Sequence, residues 1–324
     1  MKFDLEELVK VGSHWLELFD SNFAMNNLPL NKRPLQSAIW FVKDGIEKLP
    51  FNDSKENFLE KEWFTALVIV IREWYQERYG TAHFEVVRET FSGIVLMYRT
   101  PIKIEVPVAV TKVHVEGETC WITFPDSIHE SENLKSFFPT CPNFDALPKG
   151  ERIKIEKRVD LIVSRTRSIN LALQAAADLP DEAEKMAAGV WWHIEKAVAD
   201  ILSLDTAVAA VGCWELHLAV EKSFKVFLRQ NESESRGHNL IKLSTASGKF
   251  GLNVTKSVLA KLPEEHRAIK LRYGEADIEI FEAVENYEAA LQLVYEITGK
   301  LKRTYSINNA AFLLKKPPWV GLGT

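Results

Sequence analysis

The stretch CWELHLAVEKSFKVFLRQ (213–230), running on into NESESRGHNLIKLS (231–244), decides how the second half of this 324-residue chain folds. Cys213, Leu216, Val220, Phe224 and Phe227 recur at spacings of three and four, so they form one apolar stripe along a helix. Glu221 and Lys225 lie four apart on its outer surface, an ion pair worth only ~0.2–0.5 kcal/mol to the helix. The polar loop interrupts the pattern, which resumes at Leu240. Worked outward, the same period predicts helices at 151–178, 182–203, 206–230, 239–247, 255–270 and 277–303. Pro180, Gly237, Gly248 to Gly251, Pro263 and Gly274 mark or adjoin the breaks. The last helix carries the stripe Ile280, Val284, Tyr287, Leu291, Val294, Ile297 and Leu301. One such face per helix is what a bundle buries.

Upstream, SFFPTCPNFDALPKG (136–150) has three prolines, a glycine and no period, and reads as a linker. Before it the pattern is mixed. Leu35, Ile39, Val42, Ile46 and Leu49 suit one helical face that Pro50 ends. Asp53 or Ser54 can cap a second helix carrying Phe58, Trp63, Leu67, Val70 and Trp74 and stopped at Gly80. From about His83 the period becomes two. Ile102, Ile104, Val106, Val108 and Val110 line one face of a strand that continues through Val113 and Val115. The turn Glu116-Gly117-Glu118 then leads into a returning arm, Thr119 to Phe124.

The expected fold class is α+β: N-terminal helices with a small antiparallel sheet (1–135), the linker (136–150), an all-α bundle (151–304) and a tail (305–324), extended in KKPPWVGLGT. No repeat at a solenoid period is present.

Composition bounds the function. A chain 46% hydrophobic and 26% charged is globular, and a net charge of −5 gives no bulk attraction to nucleic acid or to an anionic membrane. The halves differ: residues 1–148 carry −7 and the remainder +2. Cys120, Cys141 and Cys213, without CxxC spacing, suit neither a disulfide framework nor zinc. The opening MKFDLEELVKVGSHW has acids where a signal peptide needs an apolar core. Ala66 to Ile71 is too short to span a bilayer. The expectation is a cytoplasmic protein with no membrane partner, no cofactor and no metal.

Glu221-Lys222, Lys225 and Leu228, then His238-Asn239-Leu240, then Arg272-Tyr273-Gly274 follow one another in an order that resembles the HEPN family of helical bundles, over about 182–303. The resemblance implies a HEPN-like bundle, homodimerisation, and a prokaryotic stress, toxin–antitoxin or defence setting. Catalytic HEPN proteins resemble one another in an Arg followed four to six residues later by a His, used for metal-independent RNA cleavage. That spacing is absent from 182–303, where Arg229 and Arg236 precede His238 by nine and two positions. Arg78-Tyr-Gly-Thr-Ala-His83 has it, outside the resembling region. Members without the spacing look like binding or scaffolding modules. Some accompany nucleotidyltransferase domains, but here the Gly12-Ser13 pair is followed by no Asp-x-Asp.

Two readings follow. The first is a non-catalytic module that binds RNA, a nucleotide or a protein partner through Arg229, Arg236, His238 and Asn239. The basic stretch KGERIKIEKRVDLIVSRTRS (149–168) offers Lys154, Lys157, Arg158 and Arg165 to phosphates. The second is a divergent ribonuclease with His238 as acid/base and Arg236 as phosphate clamp. Against both stands a plain alternative in which His238 and Asn239 cap a helix and the cations are solvated. His217 and Glu221 have metal-ligand spacing without a third ligand, so a surface hydrogen bond is expected. Trp191-Trp192-His193 is expected to anchor its helix in the core.

Overall fold

The computed structural model describes residues 5–84, 90–234 and 236–315, with backbone only at 5–11 and 52. The fold is α+β, mostly helical with two small antiparallel sheets. The chain divides into two compact units, residues 1–88 with 316–324, and residues 89–315.

In the first unit, α1 (Leu5–Met25), α2 (Arg33–Trp40) and α3 (Glu62–Tyr79) enclose an aromatic-rich core that includes Phe19, Phe23, Phe41, Phe64 and Tyr75. Asp20 is buried there because Arg33 Nη1 donates to it at 2.9 Å and the Tyr79 hydroxyl donates to its other oxygen. The expected helix over Leu35–Leu49 is shorter. After Trp40 the backbone widens into a π-helical turn, Phe41–Gly45, closed by Ile46 N–H on the Phe41 carbonyl (2.8 Å), and Ile46 is already extended. Asp53 caps nothing. Its carboxylate takes the Trp63 indole N–H (2.8 Å) and the Lys61 ammonium (3.0 Å), and α3 begins nine residues later, ending at Gly80 as expected.

In the second unit, β1 (Thr90–Met97) and β2 (Thr100–Pro107) form a hairpin turned by Tyr98 and Arg99, both in the left-handed region. The strand expected through Val115 breaks at Val108-Ala109. A second sheet, ordered β3-β4-β5, joins β3 (Val110–Val115) and β4 (Thr119–Thr123) across the expected turn to β5 (Ala311–Lys315). Residues 311–315 are thus a paired strand, and 316–324 lie outside the described residues.

The helices of this unit are α4 (Lys149–Gln174), α5 (Asp181–Leu202), α6 (Thr206–Gln230), α7 (Leu240–Gly248), α8 (Lys256–Leu259), α9 (Glu265–Arg272) and α10 (Ile280–Thr298). They match the periodicity closely, except that the segment around Pro263 splits one expected helix into α8 and α9. A proline lacks the N–H and crowds the preceding turn.

The division falls at residue 88/89 rather than at 136–150 because β1 and β2 share the helices' core. Ile94, Val95, Leu96, Ile104 and Val106 are buried in the same cluster as Val159, Ile194, Leu216 and Leu291. The segment 136–150 is pinned rather than linking. Phe137, Phe138 and Phe144 are buried in that core, Phe137 and Phe144 within two short 3-10 turns capped by Asn133 and Asn143 and Phe138 directly after the first. Prolines and missing periodicity imitate a linker whenever an irregular segment is held by a few large side chains.

Candidate functional site

Helix α6 is the centre of the second unit, packed by α5, α7, α9 and α10 and capped by Asp205, whose carboxylate accepts from Ala207 and Val208 N–H. Enclosure on several sides explains why residues outside its apolar stripe are buried too. His217, Glu221, Lys225 and Arg229 follow one another at four-residue spacing, so they line one side of the helix. His217 is 1% exposed and Glu221 4%, whereas the Lys225 and Arg229 side chains are 20% and 28% exposed. The row climbs from the interior to the surface. Glu221 is therefore not the solvated partner its spacing implied.

Residues 236–239, after α6, fold back onto this row. His217 Nε2 donates to the His238 carbonyl (2.7 Å), and His238 Nδ1 donates to Glu221 Oε2 (2.8 Å). Glu221 Oε1 takes the Lys225 ammonium at 2.7 Å. A buried carboxylate is tolerated because both oxygens have strong donors. His217 and Glu221 do not bond to each other; each holds a different atom of His238. Asn239 alone caps α7, its Oδ1 accepting from Lys242 N–H at 3.0 Å. His238 caps nothing, and its side chain is 48% exposed. Trp214 lies flat on His217 (centroids 5.7 Å apart, planes 9° apart), and the Arg272 guanidinium sits 5.3 Å above the indole. His217 and Arg272 thus meet Trp214, and the ring of His238 is 5.9 Å away.

Beside the row lies a cavity of about 240 Å³ lined by Lys225, Arg229, Arg236, Met186, Ser233 and Gly237. Arg229 is held by two exposed carboxylates, Glu182 at 3.1 Å and Glu234 at 2.8 Å. Exposed pairs of this kind contribute ~0–1 kcal/mol and yield readily to a competing anion. Arg236 has no ion-pair partner among the described residues. The structure therefore brings Arg229 and Arg236 together and adds Lys225, which spacing had left as half of a surface pair.

It does not bring the α4 cations to them. Lys154 is highly exposed, with Glu151 3.6 Å away, and Lys157 is exposed. Arg158 reaches Glu288 of α10 (3.4 Å), and Arg165 donates to Gln292 (3.1 Å) while burial works against its charge. Arg167, from the same basic run, is buried with Glu132 in a two-pronged pair (2.6 and 2.8 Å) and also donates to the carbonyls of Pro107 and Ser127. It ties α4 to the end of β2. A helix buried on several sides redistributes its basic residues in ways a count cannot foresee.

Two further polar features had no signal in the sequence beyond residue type. His193 of α5 donates from Nδ1 to Glu215 of α6 (2.6 Å), and burial holds the imidazole below its ordinary value of 6.5. Trp191 stacks on Phe91 while Trp192 points outward. Gln230, closing α6, donates to the carbonyls of Ala177 and Lys302 and accepts from Lys302 N–H, stapling the α4–α5 loop to the segment after α10. Cys213 is buried with its thiol pushed up to about 12, so it serves as a small apolar side chain. In the first unit, Arg78 lies over Trp74 and near Glu17, and His83 is exposed. Among the described residues no group of three His, Cys, Asp or Glu is placed to hold a metal, and no helix is long and apolar enough to cross a membrane.

Fold and site together define an α+β protein whose helical unit carries a basic, cavity-lined loop folded onto a buried carboxylate. No family model, no curated protein and no solved structure matches the chain.

Proposed function

We propose that the second unit is a binding module for a phosphate-bearing ligand, RNA or a nucleotide, held at the loop that follows α6. The observation that carries this reading is the convergence of Lys225, Arg229 and Arg236 on one cavity of about 240 Å³. Guanidinium groups match phosphate oxygens in pairs, and a lysine adds a point charge. Glu221 holds Lys225 in place beside the cavity, so that cation needs little ordering when the anion arrives. The order of residues that resembles HEPN domains supports the same reading and extends it to a cytoplasmic homodimer in a stress, toxin–antitoxin or defence setting. Light scattering on the purified chain tests the dimer.

The binding test is a titration of labelled single-stranded RNA, with inorganic pyrophosphate as competitor. Arg229→Gln and Arg236→Gln should each weaken RNA and pyrophosphate binding about five- to tenfold. Each should also lower the slope of log affinity for the single-stranded RNA against log salt by about 0.7. Unchanged affinity in both variants would refute the site.

A second reading, a divergent metal-independent ribonuclease, is favoured by one observation. Glu221 fixes His238 with Nδ1–H inward, which leaves Nε2 as a base on a half-exposed ring. Nε2 would take the proton of a ribose 2′-hydroxyl as that oxygen attacks the adjoining phosphorus and the bond from phosphorus to the 5′-oxygen breaks; the departing 5′-oxygen takes a proton from solvent, a 2′,3′-cyclic phosphate is left, and Arg236 holds the phosphate throughout. Cleavage of RNA in EDTA that disappears in both His238→Ala and Arg236→Ala supports it; intact RNA at every protein concentration removes it.

A further inference from the structure

A second cavity, of about 690 Å³, opens between α7, α8 and the start of α9, and His217 of α6 is among its lining residues. Its size is that of a small-molecule pocket. Leu240, Leu262 and Pro263 are buried in its wall, and Glu264 and Glu265 stand with Lys256 among its lining residues.

His217 is the informative group. Nε2–H is committed to the His238 carbonyl, so in a neutral ring Nδ1 carries the lone pair and can only accept. That nitrogen is buried and has no hydrogen-bond partner. The Pro263 carbonyl lies beside the same ring, and burial nonetheless holds the imidazole below its ordinary value, in the neutral form. Two acceptors therefore stand together among the residues lining the cavity, and the nitrogen has no donor. A buried acceptor left unpaired is costly, which makes its preferred ligand chemically specific. The two carboxylates in the lining outnumber its one lysine and disfavour anions.

We propose that this cavity binds a small molecule with an apolar or flat body and a terminal NH₂ group, which donates one hydrogen to His217 Nδ1 and the other to the Pro263 carbonyl. An exocyclic aromatic amine or a primary amide fits this description. A phosphate or carboxylate does not. The site is separate from the basic cavity beside Arg229 and does not depend on the anion-binding reading.

The test uses ligand pairs that differ at the NH₂ group, adenine against purine and nicotinamide against methyl nicotinate, titrated into the full chain. The ¹⁵N resonance of His217 Nδ1 is followed at the same time. The NH₂ member of each pair should bind roughly fivefold or more tightly and move that resonance. Leu259→Trp, which fills the cavity from α8 without touching α6, should abolish this binding and leave pyrophosphate binding unchanged. His217→Phe should remove the preference for the NH₂ member. Equal affinity within both pairs, no binding by any of the four, or binding that survives Leu259→Trp overturns the proposal.

Discussion

Glu221 shows how much a single side chain organises here. It is buried, yet it accepts from Lys225 and from His238, and so orders both the surface end of α6 and the loop beyond it. Glu221→Gln keeps the shape and removes the charge. Lys225 and His238 are exposed enough to turn to water, so the loss is that of charge-assisted hydrogen bonds rather than of a fully buried ion pair. About 1.5–3 kcal/mol is expected from urea unfolding. The buried histidines supply a pH prediction. Burial lowers the values of both His193 and His217 relative to 6.5. The unfolded chain then binds protons that the folded chain refuses, so stability is complete above about pH 6.5 and declines as pH falls through the window below it. Each histidine contributes at most ~1.4 kcal/mol per pH unit there. Urea unfolding across that range should show this decline, and His193→Gln or His217→Gln should flatten it. A stability that rises on acidification would contradict the assignment.

At the level of elements, the close packing of helices and hairpin depends on where side chains are missing. Gly93 of β1 faces Ile162 of α4, Ile104 of β2 and Tyr287 of α10, and a methyl group there would stand 2.9, 3.0 and 3.1 Å from their atoms. Gly93→Ala should destabilise the second unit by about 1–3 kcal/mol, since three packed elements must give way. Gly189 of α5 is the contrast. The atoms nearest its added methyl all belong to the flexible Lys222 side chain, and the closest, at 2.5 Å, is the terminal ammonium. There the helix gain of up to ~1 kcal/mol is kept, so Gly189→Ala should melt at the same temperature or higher. Thermal unfolding of the two variants side by side checks both signs. The helices themselves were legible from their stripes, α6 almost to the residue, because period and stop signals are local. Which of their polar residues would be buried was not, because that depends on how many neighbours surround a helix.

The whole molecule is two cores, and the boundary between them follows shared burial, not composition. Phe137, Phe138 and Phe144 make the proline-rich stretch part of the second core, and β1 and β2 contribute Ile94, Val95, Leu96, Ile104 and Val106 to it. A fragment of residues 89–315 should therefore unfold cooperatively on its own. A fragment of 149–315, cut where the composition changes, should aggregate or lose cooperativity, because its helices would expose the apolar surface that the hairpin covers. Denaturant unfolding and light scattering of the two fragments distinguish these outcomes. The charge division between front and rear halves marks no structural boundary.

By itself the sequence determined the helices of the second unit, the β3–β4 turn, the stop at Gly80, the α+β class and the proximity of Arg229 and Arg236 around one polar loop. All of these rest on interactions between residues close along the chain, where periodicity and turn chemistry speak directly. Only the tertiary structure decided that Glu221 is buried beneath His238, that Lys225 joins the arginines, that Arg167 leaves the basic face for Glu132, and that His217 lines a cavity with an unmet nitrogen. Those outcomes come from elements far apart in the chain closing over one another, which changes the burial and partners of a charge without changing its spacing.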